Sequence, residues 1–221
     1  MEHLISDLFS HYAYSPWLVY GGIVLFMMMS AFGLPIPEEV VLISAGFIGH
    51  MSLHPEDFPP PYPGAPSVNV YVLAVVAFAA VMWSDYLIYF LGKFFGPKLF
   101  KMRWFARLVS EPALERIQRW TRKYGLWAVF IFRFTPGVRF PGHLMCGAMG
   151  LNRWKFLAVD SVAAGISVPT QILLVSFYGE VILSYLGKFK LYFFGAMGIA
   201  LLVFLIVKIY QKRTVKTFGV K

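Results

Sequence analysis

Hydrophobic positions along this chain gather in long runs separated by short polar or Pro/Gly-rich interruptions. Residues 17–32 are almost continuously apolar and end at the breaker string Gly33-Leu34-Pro35-Ile36-Pro37. A second run, 40–48, follows Glu38-Glu39. At ~1.5 Å per residue it is too short to cross ~30 Å of hydrocarbon as a straight helix. A broken-helix hairpin is therefore expected over 17–50. Residues 70–95 are long enough to span, with Ser84, Asp85 and Lys93 as polar interruptions. Residues 125–150 are apolar but broken by Pro136-Gly137 and Pro141-Gly142, which predicts a second, re-entrant hairpin. Residues 154–182, with Asp160, Pro169 and Gln171 inside, and residues 191–209 predict two further spans. The expected fold is all-α: a polytopic integral membrane protein, one domain over 1–221, with two oppositely oriented re-entrant hairpins.

The segments between the runs set the orientation. Residues 54–66 carry Pro55, Pro59, Pro60, Pro61, Pro63 and Pro66, the composition of a stiff, extended loop. That loop has Glu56 and Asp57 but no Lys or Arg, which places it on the periplasmic side. Residues 97–124 are basic and amphipathic, with Trp104, Leu108, Leu114, Ile117 and Trp120 as the apolar face of interfacial helices. This stretch reads as a solvated cytoplasmic connector lying partly on the membrane.

Composition agrees with that picture. The chain is 58% hydrophobic and 14% charged, with 22 Phe and a mean hydropathy of +0.65. A soluble domain carries about 45–50% apolar and about 25% charged residues. The net charge of +9 does not indicate nucleic acid, because the basic residues are confined: eight lie between Lys98 and Lys123, and five more follow Ile206. Basic clusters beside apolar segments mark cytoplasmic loops, so the connector and the C-terminal tail are expected inside. Lys188 and Lys190 then fall outside, a mild exception. Cys146 is the single cysteine, expected to be a small buried hydrophobe rather than a reactive thiol. The first 15 residues hold Glu2 and Asp7 but no Lys or Arg, so they lack the basic n-region of a signal peptide and are expected to be retained.

The two broken regions resemble each other. An offset of 101 residues pairs Pro35 with Pro136, Gly46 with Gly147 and Gly49 with Gly150, and sets Glu38 opposite Arg139. Inverted repeats with broken helices at matching positions build midplane sites in transporters. A charge at the bilayer centre costs at least about 2.5–3.5 kcal/mol, so Glu38, Glu39, Asp85, Arg133, Arg139 and Asp160 must face a protein interior or aqueous cavity. Asp160, soon after Trp154, is also compatible with an interfacial position. The bland alternative is a set of salt bridges that only holds helices together. Arg suits an anionic phosphate because its planar fork donates two hydrogen bonds and stays charged. Backbone amides of a helix restarting after Pro136-Gly137 or Pro141-Gly142 would reinforce that site. Carboxylates in a low-dielectric cavity can exchange protons, which makes Glu38, Glu39 and Asp85 candidates for coupling to H+ or Na+.

Phe132-Arg133-Phe134-Thr135-Pro136-Gly137-Val138-Arg139 resembles the F-R-x-x-P-x-x-R signature of the DedA family. Residues 33–39 resemble its G-x-P-x-P-x-E element, and 84–93 its G-D-x-x-x-Y-x-x-G-R element. Residues 147–156 are similar to its A-G-x-x-x-M-x-x-x-x-F stretch. The resemblance covers roughly residues 30–180. It implies a bacterial inner-membrane flippase that moves a lipid, undecaprenyl phosphate or a phospholipid, often driven by the proton motive force. It further implies Arg133 and Arg139 as headgroup residues, beside Pro136 and Gly137, and Glu38 or Glu39 as the embedded acid. Some members carry another acid before the first Pro, where this chain has only residues 28–32.

Two other classes compete. Arg139-Phe140-Pro141-Gly142-His143 faintly echoes the P-S-G-H element of membrane lipid phosphatases, but the Ser is absent and no histidine follows His143. His143 reads better as a helix-packing or site-edge residue. An ion antiporter or small-anion transporter would use the same Arg and Glu residues. No cofactor and no metal-ligand spacing is evident in the sequence, and a homo-oligomer is compatible with this reading.

Overall fold

The computed structural model describes residues 12–32, 37–100, 102, 109–135 and 137–182, and among these every regular element is helical. The expected span at 191–209 lies outside the described residues. Contacts group 1–177 into one compact unit and 178–221 into a second, of which 178–182 are described.

Helix α1 is Pro16–Ala31, opened by a proline in its first turn where the missing N–H costs nothing. Helix α2 is Glu38–Leu53, with Glu38 and Glu39 in its first turn, next to the positive end of the helix dipole. Helix α3, Val70–Leu99, begins where Asn69 accepts from the Tyr71 and Val72 amides at 3.0 and 3.1 Å. It runs past residue 95, the end anticipated from sequence. Helix α4 is Glu111–Tyr124, stopped by Gly125 at φ 57°. Helices α5, Trp127–Phe134, and α6, Arg139–Ala148, follow. Helix α7, Arg153–Ile182, repeats the capping device of α3: Asn152 accepts from the Trp154 and Lys155 amides at 3.0 and 3.2 Å. Residues 55–68 form irregular chain without helix or strand, but turns closed by the Phe58 amide on the His54 carbonyl and the Ala65 amide on the Tyr62 carbonyl replace the extended path expected from the prolines.

The starts of α1 and α3 lie side by side. The Val68 amide donates to the Ala13 carbonyl at 2.9 Å, and the Asn69 amide to the Tyr20 hydroxyl at 3.1 Å. Ser52, near the end of α2, donates to the Val68 carbonyl at 2.8 Å, so α2 runs back against both. A polar clasp joins α2 to α7, where Ser176 donates to the Gly46 carbonyl at 3.1 Å and His50 Nδ1 lies 2.9 Å from the Ser176 carbonyl.

Helices α3 and α6 approach until backbone meets backbone. A side chain on Gly92 would run into the Leu144 carbonyl, and one on Gly147 into the Tyr89 carbonyl. Small residues at such crossings let helices pack closely where lipid supplies no hydrophobic drive.

Helices α3 and α7 thread two apolar clusters. The first gathers α1, α2 and the first half of α3 around Met27, Leu42, Leu73 and Ile172. The second gathers α4, α5 and α6 around Tyr89, Phe132, Cys146 and Phe156. Between them along α3 lie Ser84 and Asp85, and along α7 lies Asp160, all fully buried. The exterior is the reverse: Trp83, two residues before Asp85, is 65% exposed while Asp85 is 0% exposed. Turning the charge inward and an apolar side chain outward is the arrangement hydrocarbon surroundings favour. By length and composition, Val70–Gly96 and Arg153–Ile182 can each cross a membrane.

Helix α4 differs from expectation. Its Ile117 and Thr121 are buried and its Leu114 and Trp120 pack into the second cluster, with Trp120 stacked on Phe132 at 6.3 Å. The apolar face is covered by α5 and α6, because an amphipathic pattern looks the same whether protein or lipid hides it. Trp104 and Leu108 lie outside the described residues. Pro141-Gly142 does not break the chain either. Pro141 falls in the first turn of α6, where an absent N–H is tolerated, and the Gly142 amide donates to the Val138 carbonyl at 2.8 Å.

Candidate functional site

Asp85 stands 15 residues into α3 and 11 before Gly96, about 16–22 Å from either end of the apolar span at ~1.5 Å per residue. Around it the breaks in the chain converge. Glu38 is the first residue of α2, and Arg139 the first residue of α6. Arg133 lies in the last turn of α5, where a cation is favoured by the helix dipole. Gly137, at φ 73°, supplies the left-handed residue in the turn between α5 and α6.

Arg133 distributes its guanidinium over three acids. Its Nη1 lies 2.7 Å from Asp85 Oδ2 and 3.2 Å from Asp160 Oδ1, and its Nη2 lies 3.2 Å from Glu38 Oε1. Its Nε donates to Ser167 Oγ at 3.0 Å. Arg139 pairs through Nη1 with Glu38 Oε2. Its Nη2 lies 2.6 Å from Asp85 Oδ1, in charge contact but out of hydrogen-bond alignment. His143, also fully buried, places Nδ1 3.1 Å from Asp85 Oδ1. A carboxylate only accepts, so Nδ1 carries the proton and donates. The other ring nitrogen is 3.9 Å from Asp160 Oδ1, beyond hydrogen-bond reach. Arg139 Nε, His143 Nε2 and Asp160 Oδ2 are buried with no hydrogen-bond partner among the described residues.

The groups form two layers. A cavity of about 190 Å³ is walled by Glu38, Glu39, Arg133, Arg139, Ser167 and Gln171, together with Phe134. Asp85, Asp160 and His143 stand behind the arginines and do not line it. Ligand atoms of these three lie within 4.8 Å of one another, a grouping compatible with a metal ion, yet both carboxylates are already matched by guanidinium groups. With neutral His143, three carboxylates and two guanidinium groups leave one net negative charge.

The sequence-derived candidates are therefore largely brought together. Glu38, Asp85, Arg133 and Arg139 meet directly, and Glu39, exposed, borders the same cavity. Gly137 is exposed in the turn and does not line the cavity. Pro136 lies outside the described residues. Asp160 is not interfacial but fully buried in the cluster. His143 sits within the charge network itself, and Ser167 and Gln171 were not anticipated. Asp160, Ser167 and Gln171 fall at i, i+7 and i+11, one face of α7, and that spacing was the available signal. In the repeat frame, Glu38 and Arg139 are equivalent as first helical residues. Gly49 and Gly150 are not, since one lies inside α2 and the other past α6 at φ 70°.

Residues 36–181 match the VTT domain. The chain is 32% identical over 175 residues to an uncharacterized membrane protein of Haemophilus influenzae, covering 79% of this chain and 74% of that one. It is 24% identical over 163 residues to the uncharacterized membrane protein YbfM of Bacillus subtilis, covering 73% and 85%. A third relative, from Staphylococcus aureus and named undecaprenyl phosphate transporter A, is 24% identical over 173 residues, covering 75% and 74%. No solved structure matches the chain significantly. Gathered around the F-R-x-x-P-x-x-R residues and matched over two-thirds of its length, the chain belongs to the VTT domain (DedA) family of membrane proteins.

Proposed function

We propose that this chain is a lipid transporter of the bacterial inner membrane that carries an anionic lipid, undecaprenyl phosphate or a phospholipid, by its phosphate, coupled to H+ or Na+. The observation that carries the reading is the pair of guanidinium groups on the wall of a cavity beside the midpoint of α3. At about 190 Å³ the cavity is below the ~300 Å³ at which whole-molecule ligand pockets begin, so it suits a headgroup phosphate with the tail left in the bilayer. The printed name of the Staphylococcus aureus relative supports the same substrate class.

Charge supplies the mechanism. Arg133 and Arg139 are engaged by Glu38, Asp85 and Asp160, and the cluster is already net negative, so a phosphate competes with carboxylates for the same donors. Proton uptake by the carboxylates removes that competition and releases the guanidinium forks to the phosphate. Binding of the anion and binding of the proton then favour each other, which is the requirement for coupled transport. A cation such as Na+ would serve the same end by neutralising the carboxylates.

Helix lengths support a re-entrant arrangement in a single transmembrane domain. At ~1.5 Å per residue, α2 reaches ~24 Å, α5 ~12 Å and α6 ~15 Å, each short of ~30 Å. Reading α1–α2 and α5–α6 as inverted hairpins places Glu38 and Arg139 at the two tips, with the basic connector and tail in the cytoplasm. The test is reconstitution in liposomes. A flippase reorients labelled polyprenyl phosphate or phospholipid headgroups, while an antiporter built on the same buried acids moves ions alone. Ion movement without headgroup reorientation overturns the lipid reading.

A further inference from the structure

We infer that the groove between α1 and α2 holds the hydrocarbon chain of the lipid whose phosphate occupies the arginine-walled cavity; this rests on the function proposed above. The groove encloses about 410 Å³ and is almost wholly apolar, with Leu18, Gly22 and Phe26 on the α1 side and Val41, Ala45 and Ile48 on the α2 side. Two features separate it from an incidental crevice. The first is continuity with the polar site. Glu38, Val41, Ala45 and Ile48 fall at i, i+3, i+7 and i+10, a single stripe of α2. That stripe starts at a carboxylate bound to both arginines and continues as groove wall. At ~1.5 Å per residue it covers ~15 Å, half of a ~30 Å hydrocarbon core. A lipid with its phosphate at the charge cluster needs an apolar path of one leaflet's depth, and this stripe provides it.

The second feature is width. The Cβ of a side chain built on Gly22 meets nothing within 4 Å among the described residues, although Gly22 lies between turns carrying Leu18 and Phe26. In hydrocarbon the groove gains no transfer free energy over the bulk bilayer, so what it contributes is position: it holds one chain in line with the headgroup site. The chain would run from the charge cluster toward the end of α2 that leads into the proline-rich loop.

The test uses the full chain in phosphatidylcholine vesicles with a polyprenyl phosphate carrying a diazirine in its first isoprenoid units. The prediction is that light attaches this probe to peptides containing residues 18–26 and 40–48. Gly22→Trp, whose Cβ has open space and whose ring is directed at the groove, abolishes that labelling and transport. Gly21→Trp, also in open space but one position round the helix and outside the groove, leaves both unchanged. Equal labelling by a diazirine phosphatidylcholine at the same depth overturns the inference, since the groove would then hold ordinary surrounding lipid. Absence of labelling from both probes also overturns it, since no lipid chain then enters the groove. Arg133→Ala and Arg139→Ala separate the two readings. Transport lost in the arginine variants but intact in Gly22→Trp rejects the groove and keeps the headgroup site. Selective labelling that persists in both arginine variants keeps the groove and rejects the headgroup site.

Discussion

Arg133 Nη1 stands 2.7 Å from Asp85 Oδ2, joining the end of a short helix to the middle of one of the two 30-residue helices. Both side chains are almost fully buried, and Asp85 is compensated by Arg139 and His143 as well. Removing one member of a buried pair costs about 3–5 kcal/mol, because the remaining charge is left uncompensated. Arg133 keeps Glu38 and Asp160, which puts Asp85→Ala at the lower end, about 3 kcal/mol. Thermal unfolding in detergent is expected to show a clear loss of stability for Asp85→Ala and a smaller one for Asp85→Asn. Unchanged unfolding of Asp85→Ala would mean the pair does not hold the helices.

Arg139 uses separate nitrogens for Glu38 and Asp85. A lysine ammonium is a point donor that cannot span two carboxylates or a phosphate edge in the same way. Arg139→Lys is expected to express and fold yet lose most lipid transport in proteoliposomes. Full transport would remove the case for a fork-shaped anion site.

Asp160 supplies one of the three negative charges. Asp160→Asn brings the cluster from one net negative charge to neutrality, so anionic lipid should bind more readily while the response to a proton gradient weakens. In the parent chain, binding should strengthen as pH falls, because protonated carboxylates no longer compete for the arginines. A titration of lipid binding at several pH values checks both statements, and an identical pH response in the two proteins would place the coupling group elsewhere.

Gly147 and Gly92 mark where α6 and α3 touch, and in each case the obstructing atom is a backbone carbonyl with no freedom to turn aside. Gly147→Ala is expected to destabilise by about 1–3 kcal/mol or more, the range for overpacked sites. Gly21→Ala, on an open helix face, should be neutral or stabilising by about 0.5–1 kcal/mol through reduced chain entropy. Size-exclusion profiles and melting curves of the two variants compare them directly; equal behaviour would contradict the close crossing.

Much of the site was legible because charge in an apolar run is costly enough to demand a reason. Glu38, Asp85, Arg133 and Arg139 were visible on that ground alone. Asp160 was harder, since its distance from Trp154 fits an interfacial carboxylate as well as a buried one, and only packing against α3 and α5 decides. His143 was readable only as a helix-packing or site-edge residue, because Pro141 and Gly142 suggested a chain break instead of the first turn of α6 that turns it onto Asp85. Ser167 and Gln171 are too weakly polar to stand out in a span without the face they share with Asp160. The role of α4 was unreadable for another reason: an apolar stripe does not say what covers it.

The glycine crossing of α3 and α6 also constrains how the protein can move. Two backbones interlocked at Gly92 and Gly147 cannot shear past one another without steric collision, so α3 and α6 are held as one body. The α1–α2 pair meets α3 mainly through side chains such as Val19, Ile23, Met27 and Leu42, a contact that tolerates repacking. If lipid is carried as proposed above, alternating exposure of the charge cluster would come from rocking of α1–α2, which must also release the Gly46–Ser176 clasp to α7, with Glu38 as the latch carried away from Arg133 and Arg139.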